Sequence, residues 1–333
     1  MNILIVRLGA MGDVVHTIPA CAALRRAFPR ARIDWLVEAR HREVADLVTA
    51  IDDVVVLHRA SLAGWLEVTK RLRRRAYDVA IDFQGLLKSA VLARASGAVR
   101  IIGFSTWHLR EKTARPFYTG SVAAEGGHVI RKNLRLLTAV GVEDSTIEFP
   151  LRHVESPALA ELLRQVSGAF ALLNPGAAWP NKRWPPKRFG DVGSFLRDQC
   201  GLTPVVLWGP GEEILANAVV AASSGAAVLA PPTGLADLVA IARAATLMVS
   251  GDTGPMQIAA AVGTPIVSLF GPTNPDRNGP WSPADVNISR YDTCECKYDR
   301  RCHAAAWCLA DITMAEVCAA IQQRLAAARL SSG

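Results

Sequence analysis

The chain has 333 residues, half of them apolar, and a formal net charge of +7 from 37 basic and 30 acidic side chains. That length allows two cores, while the opening "MNILIVRL" lacks the basic and cleavable parts of a secretory signal and no apolar run reaches the about 18 residues of a bilayer span. Seven cysteines, an odd count, exclude a disulfide framework as the organising feature, so reduced thiols and a cytoplasmic protein with anionic partners are expected.

Strand-like apolar runs alternate with helical patterns from the start. "NILIVRL" leads into a helix over Val14 to Phe28, "RIDWLVE" into one near Arg42 to Ala50, and "DVVVL" into a basic helical stretch. "YDVAIDF" follows, then a helix from Leu86 to Ala95, then "RIIGF". Such βαβ alternation predicts an open parallel sheet with helices on both faces. From Pro150 to Ser167 the pattern loosens, and then it restarts. "FALLNPG", "TPVVLWGPG", "AAVLAPP", "TLMVSGDTG" and "TPIVSLFGPT" read as five more strands, each ended by turn formers. The fold class is therefore α/β, two successive doubly wound sheets with a boundary near residue 155. A final helix opens with "TMAE", a capping box at Thr313 and Glu316, and the closing "SSG" is expected to be unstructured.

The basic stretch "GWLEVTKRLRRRAYD" collects Lys70, Arg71, Arg73, Arg74 and Arg75 behind Trp65, Leu66 and Val68. It reads either as a solvated helix face or as a patch for anionic lipid headgroups. Stacking aromatics and nucleic-acid motifs do not accompany it, so no nucleic-acid partner is expected.

Ligands of doubly wound sheets bind at the carboxyl ends of strands, where three loops carry chemistry. "LGAMGD" offers G-x-x-G in place of the dinucleotide fingerprint G-x-G-x-x-G, and no G-K-[ST] makes a P-loop. Its acid, Asp13, reads either as a helix N-cap or as a catalytic carboxylate held ionised at a helix N-terminus. In "NPGAAWPNKRWP", Lys182 follows a Pro-Gly turn ahead of a helix beginning near Pro186, which suits phosphate oxygens. In "SGDTGP", Asp252, Thr253 and Gly254 precede Pro255 at a helix start whose free amides form an anion site.

These segments, together with "IDWLVE", "YDVAIDFQGLLKSAVLA", "IIGF", "AAAVGTPIVSLFGPT" and "DITMAEV", resemble glycosyltransferase family 9, the bacterial ADP-heptose:lipopolysaccharide heptosyltransferases. "IDWLVE" and the early "MGD" are most similar to members that add the first heptose to Kdo on lipid A. The resemblance implies a GT-B fold, two Rossmann-like domains facing a central cleft. Residues 1–155 would bind the acceptor, 156–312 the nucleotide sugar, and the helix 313–330 would pack back across the cleft. It implies Asp13 as catalytic base, and donor contacts from Lys182, Glu212 (or Glu213 if the alignment slips by one), Asp252, Thr253, Gly254 and Gln257. Arg7, Gly12, Gln84 and Lys88 are the implied acceptor contacts.

The implied reaction is inverting and metal-independent. Asp13 takes the proton of the attacking hydroxyl while an oxocarbenium-like centre forms, and Lys182 with the amides near Thr253 and Gly254 stabilises the departing diphosphate. No cofactor is required; ADP-heptose is the substrate, and a Kdo-lipid A acceptor would hold the enzyme at the inner leaflet of the inner membrane through the basic patch. Gln257 stands where these enzymes commonly carry His, and Ala177 and Ala178 replace hydroxyl residues of some members, changes that bear on donor preference. Rival readings are a family 9 transferase with another donor or a protein acceptor, and a non-catalytic binding protein of the same fold. Cys294, Cys296, Cys302 and Cys308, with His303 among them, suit a structural zinc or iron site in number. Their C-x-C and five-residue gaps are not the C-x2-C spacing, and reduced thiols packed in a loop are the alternative.

Overall fold

The structure, a computed structural model, describes residues 1–58, 61–304 and 307–330. The closing Ser331, Ser332 and Gly333, expected to be unstructured, lie outside the described residues. The chain divides into two compact units between Arg152 and His153.

The first unit carries strands β1 Asn2–Val6, β2 Arg32–Glu38, β3 Asp53–Leu57, β4 Val79–Asp82, β5 Arg100–Phe104 and β6 Gly120–Val122. They pair in parallel in the order β3-β2-β1-β4-β5-β6. The second unit carries β7 Phe170–Asn174, β8 Thr203–Val206, β9 Val228–Leu229, β10 Leu247–Gly251, β11 Ile266–Phe270 and β12 Val286–Ser289. Their order, β12-β11-β10-β7-β8-β9, is the same winding counted from β7, again wholly parallel. Strands covered by helices on both faces are nearly continuous apolar runs, and β7 and β10 are buried at every residue. The edge strands β6 and β12 escape the sequence pattern. "GSV" is three residues long, and "VNIS" alternates with polar side chains, because an edge strand is only partly covered.

The helix expected over Val14 to Phe28 is two helices, Met11–Val15 and Ile18–Ala27, interrupted at His16 and Thr17. Pro19 has no N–H to continue the ladder and suits the first turn of the second helix. This corrects one expectation: Ala10 is the N-cap and Asp13 sits in the helical first turn, so its carboxylate does not cap the helix. The helix near Arg42 is also shorter, Arg42–Asp46.

The first core includes Leu4, Val6, Leu36, Tyr77 and Ile101, and the second Leu173, Trp184, Phe189, Val249 and Ile321. Each such side chain, fully buried, contributes about 1.5–3 kcal/mol. The helix Met314–Leu330 starts from the expected capping box, with Thr313 N donating to Glu316 Oε2 at 2.8 Å and Glu316 N to Thr313 Oγ1 at 3.3 Å. It packs on β11, β12 and the helix Pro186–Cys200, with Arg324 Nε 2.7 Å from Asp285 Oδ1. Among the described residues no helix is long and apolar enough to cross a membrane.

Candidate active site

Strand order reverses between β1 and β4 in the first sheet and between β7 and β10 in the second. The crevice outside the carboxyl ends at such a switch point is where open α/β sheets bind ligands. The loops after these four strands are those holding Arg7 to Asp13, Gln84 to Lys88, Pro175 to Lys182, and Asp252 to Gly254.

In the first unit Asp13 lies between two guanidinium groups. Arg7 Nη2 is 2.6 Å from Oδ1 and Arg110 Nη2 is 3.0 Å from Oδ2; Arg7 is buried, whereas Arg110 is 44% exposed. Burial alone would raise the Asp13 pKa, but Arg7 and then Arg110 outweigh it and lower it to about 2. The carboxylate is thus held ionised by two cations, not by helix amides. Arg7 also donates through Nη1 to Phe83 O, and Gln84 Oε1 accepts from Leu8 N at 2.7 Å, so the loops after β1 and β4 are stitched together.

Asp82, at the end of β4, underlies this stitching. Its Oδ1 accepts from Gln84 N at 2.9 Å, and its Oδ2 accepts from Ser89 Oγ at 2.8 Å and Tyr118 OH at 2.6 Å. Burial pushes its pKa up, and the hydrogen bonds from Tyr118 and Ser89 oppose the rise. Lys88 pairs with Glu38 Oε1, and Gly12 lies in the first turn with Asp13. A Cβ on Gly9 would sit 2.8 Å from His41 Nε2, so the loop is closely packed from the far side.

In the second unit Lys182 ends a 3-10 turn, Pro180–Lys182, and its Nζ lies 2.6 Å from Asp252 Oδ2 and 4.4 Å from the Trp179 ring centroid. Thr273 Oγ1 donates to the same Asp252 oxygen at 2.7 Å. Asn174 Nδ2 donates to Ser250 Oγ and Thr253 Oγ1, each at 2.9 Å, tying the end of β7 to that of β10. Gly254 opens the helix Gly254–Ala261 after N-cap Thr253. A Cβ on Gly251 would meet Lys182 O at 2.7 Å, so the close approach of these loops requires glycine there.

Glu212 accepts from Gly209 N at 3.2 Å, and a Cβ on Gly176 would fall 2.1 Å from its Oε2, so the carboxylate holds this position only while residue 176 is glycine. Glu213, the other alignment candidate, is an exposed first residue of the helix Glu213–Ala222. Gln257 is buried and donates through Nε2 to Asn278 O at 2.6 Å. Ala177 is buried, and its carbonyl accepts from Arg183 Nε at 2.9 Å.

Four of the seven cysteines fall into two pairs. Cys296 and Cys302 have sulfurs 3.3 Å apart, and Cys294 and Cys308 3.2 Å apart. His303 N donates to Cys296 Sγ at 3.3 Å; burial and then Cys294 push the Cys308 thiol up to about 12. Among the described residues no group of three or more His, Cys, Asp and Glu side chains is arranged to hold a metal ion. The loop bearing these thiols is tied to the neighbouring turns by Asn181 Nδ2 to Asp299 O, 2.9 Å, and Tyr298 N to Pro272 O, 2.8 Å.

Arg110, Asp82, Asn174 and Thr273 are the side chains that sequence reasoning missed. Arg110 lies 97 residues from Asp13, and no local spacing announces the pair. Asp82 did carry a signal, a carboxylate closing the apolar strand "VAID".

The sequence description of glycosyltransferase family 9 (heptosyltransferase) matches residues 65–308. Lipopolysaccharide heptosyltransferase 1 of Pseudomonas aeruginosa is 29% identical over 312 residues, covering 88% of this chain and 85% of that protein. Among solved structures, a family 9 glycosyl transferase from Veillonella parvula superposes with a TM-score of 0.87 at 24% identity, over 98% of this chain and 97% of that one. The E. coli heptosyltransferase WaaC with ADP superposes with a TM-score of 0.79 at 23% identity, over 97% of this chain and all of that one (100%). These likenesses show the GT-B fold.

Proposed function

Because the chain belongs to glycosyltransferase family 9, we propose that it moves a heptose from ADP-heptose to the Kdo end of the lipopolysaccharide inner core. That it is a glycosyltransferase, of the heptosyltransferase kind that builds the lipopolysaccharide core, follows from the family and from relatives such as the Pseudomonas enzyme. The donor, the acceptor and the residue roles are our reading. The observation that carries it is the placement of one ionised carboxylate, Asp13, and one ammonium, Lys182, each beside a switch point of its own sheet.

In this reading the N-terminal unit takes the acceptor and the C-terminal unit the nucleotide sugar. Asp13 Oδ2 exchanges Arg110 for the acceptor hydroxyl and takes its proton as the glycosidic bond forms. Lys182 exchanges Asp252 for the diphosphate, where charge grows as the anomeric carbon becomes oxocarbenium-like. The amides that open the helix Gly254–Ala261 add to that stabilisation. Attack from the face opposite the leaving group inverts the anomeric centre. A lysine and backbone amides supply the countercharge, so no divalent cation is required. Glu212 serves the nucleotide ribose, and Arg7, Gly12, Gln84 and Lys88 shape the acceptor side. A lipid-linked acceptor places the protein peripherally on the cytoplasmic face of the inner membrane.

A second reading, a family 9 transferase with another nucleotide sugar, draws on Gln257, which is buried and bonded to Asn278 O in place of the usual histidine. One experiment separates the two. Thermal shift with ADP, UDP, GDP and CDP reports which nucleotide binds the folded state, because selective binding raises stability by mass action. Selective stabilisation by ADP, followed by heptose transfer from ADP-heptose to Kdo-lipid A, is expected. Preference for another nucleotide would keep the transferase and discard the heptose.

A further inference from the structure

The segment Ser105–Tyr118 follows the carboxyl end of β5 and forms two 3-10 turns, Thr106–His108 and Lys112–Phe117. Its inner side is firmly held. Ala114 and Tyr118 are buried in the first core, Glu111 N donates to Gly85 O at 3.1 Å, and Glu111 Oε2 accepts from Leu87 N at 2.7 Å. From the same segment Arg110 reaches Asp13.

Its outer side presents Trp107, 85% exposed, with Lys112 Nζ 5.4 Å from the ring centroid, and Leu87 at 39% exposure beside Glu111. An anchored segment that holds a large indole in water loses burial that a small polar residue would not forgo. Tryptophan with cationic neighbours is the composition found where a protein meets the headgroup layer of a bilayer. The charge balance agrees. Lys112, Arg110 and Arg115 outnumber Glu111, the segment's one acid, with Arg110 also paired to Asp13.

The basic stretch on the helix Leu62–Arg73 is placed differently. Arg71 and Arg75 pair with Asp53, at the start of β3, and Arg75 Nε is 3.8 Å from Asp34 near the start of β2. Arg73 Nε donates to Ala95 O. Those charges lie at the amino edge of the sheet, a helix length of roughly 18 Å from the carboxyl edge where Asp13 and Arg110 sit.

We propose that the carboxyl-edge rim of the first unit, formed by Trp107, Leu87, Arg110 and Lys112, is the surface that lies on an anionic bilayer. Trp107 seats at headgroup level, Lys112 and Arg110 face the lipid phosphates, and Arg110 spans from that surface to Asp13. A sugar attached to a lipid then reaches the base within one side-chain length of the membrane. This rests on the lipid-linked acceptor proposed above.

The test is co-sedimentation of the full chain with vesicles of phosphatidylethanolamine and phosphatidylglycerol, using phosphatidylcholine vesicles for comparison. Trp107→Ser and Lys112→Glu should each weaken binding to the anionic vesicles about tenfold, with Trp107→Phe losing less. The double variant Lys70→Glu, Arg74→Glu should bind within twofold of the wild type. Unchanged binding by Trp107→Ser, or loss confined to the Lys70, Arg74 variant, overturns the proposal. Transfer to a water-soluble Kdo acceptor separates the two readings. Trp107→Ser should retain it, and loss of that transfer with vesicle binding intact would assign Trp107 to another contact. If the wild type itself fails to transfer, the acceptor assignment falls and the vesicle result stands.

Discussion

Arg110 and Asp13 are joined by a 3.0 Å contact between Nη2 and Oδ2, which makes the exposed member of the pair a lid on the carboxylate oxygen that Arg7 leaves available. A carboxylate with both oxygens on guanidinium groups is a poor proton acceptor. Replacing Arg110 by Gln removes one of the two cations, so the Asp13 pKa rises. The acidic limb of the kcat/KM profile should move up by about one pH unit, with Asp13→Asn abolishing transfer while ADP binding survives. An unmoved limb in Arg110→Gln would show that Asp13 is not the titrating base.

The same contact has a stability consequence. Unfolded, an aspartate titrates near 3.9, and Asp13 in the fold is lowered to about 2. A lowered folded value gives stability that is fully present above the unfolded pKa and is lost as pH falls through the folded one. Between pH 5 and pH 2 the wild type should therefore lose about 2 kcal/mol more stability than Asp13→Asn. Chemical denaturation across that range measures the difference, and parallel curves would contradict it.

Lys182 lies against Asp252 and over the Trp179 ring. Lys182→Gln should remove most of the stabilisation by ADP and lower kcat by about 10²–10³, since the lost charge acts on the leaving group. Steady-state kinetics beside thermal shift tests this. A rise in KM with kcat unchanged would reduce Lys182 to a ground-state contact.

Gly176 and Glu212 occupy one space. Gly176→Ala pushes against the flexible end of Glu212, so it should displace that carboxylate and weaken stabilisation by ADP at little cost in stability, with Glu212→Ala adding little further loss in the double variant. Additive losses in a double-mutant cycle would mean that the two positions do not touch.

The four thiols near residue 300 stand as two pairs. Purified under reducing conditions, the protein should carry less than one zinc or iron per chain, and a chelator should leave its Tm unmoved. A stoichiometric ion whose removal lowers Tm would show instead that Cys294, Cys296, Cys302 and Cys308 converge on one metal.

Much of this architecture was legible in the amino-acid order. Central strands such as "FALLN" and "LMVSG" are apolar runs that turn polar only toward their carboxyl ends, because helices cover both faces, and that pattern needs no tertiary information. Asp13, Lys182 and Asp252 stood out because each follows such a run at a turn. What stayed hidden depended on distant partners. Local sequence left the Asp13 carboxylate open between helix cap and catalytic acid, because Arg7 and Arg110, which take both its oxygens, come from other parts of the chain. Edge strands β6 and β12 hid because partial exposure dilutes their pattern, and the run of arginines at 73–75 gave no hint that Arg75 turns inward to Asp34 and Asp53.

The position of β1 bears on how the chain acquires its structure during synthesis. This central strand is paired with β2 on one side and β4 on the other, and both neighbours are synthesised after it. It must therefore wait, with the N–H and C=O groups of one edge unpaired, until Val79–Asp82 has been made; β7 waits in the same way for Leu247–Gly251. Parallel pairing of this kind forms late and leaves strand edges available to other chains. Chaperone dependence and aggregation on overexpression should concentrate in those two intervals of translation, and a stall placed just before β4 or β10 would expose the nascent chain at its most adhesive.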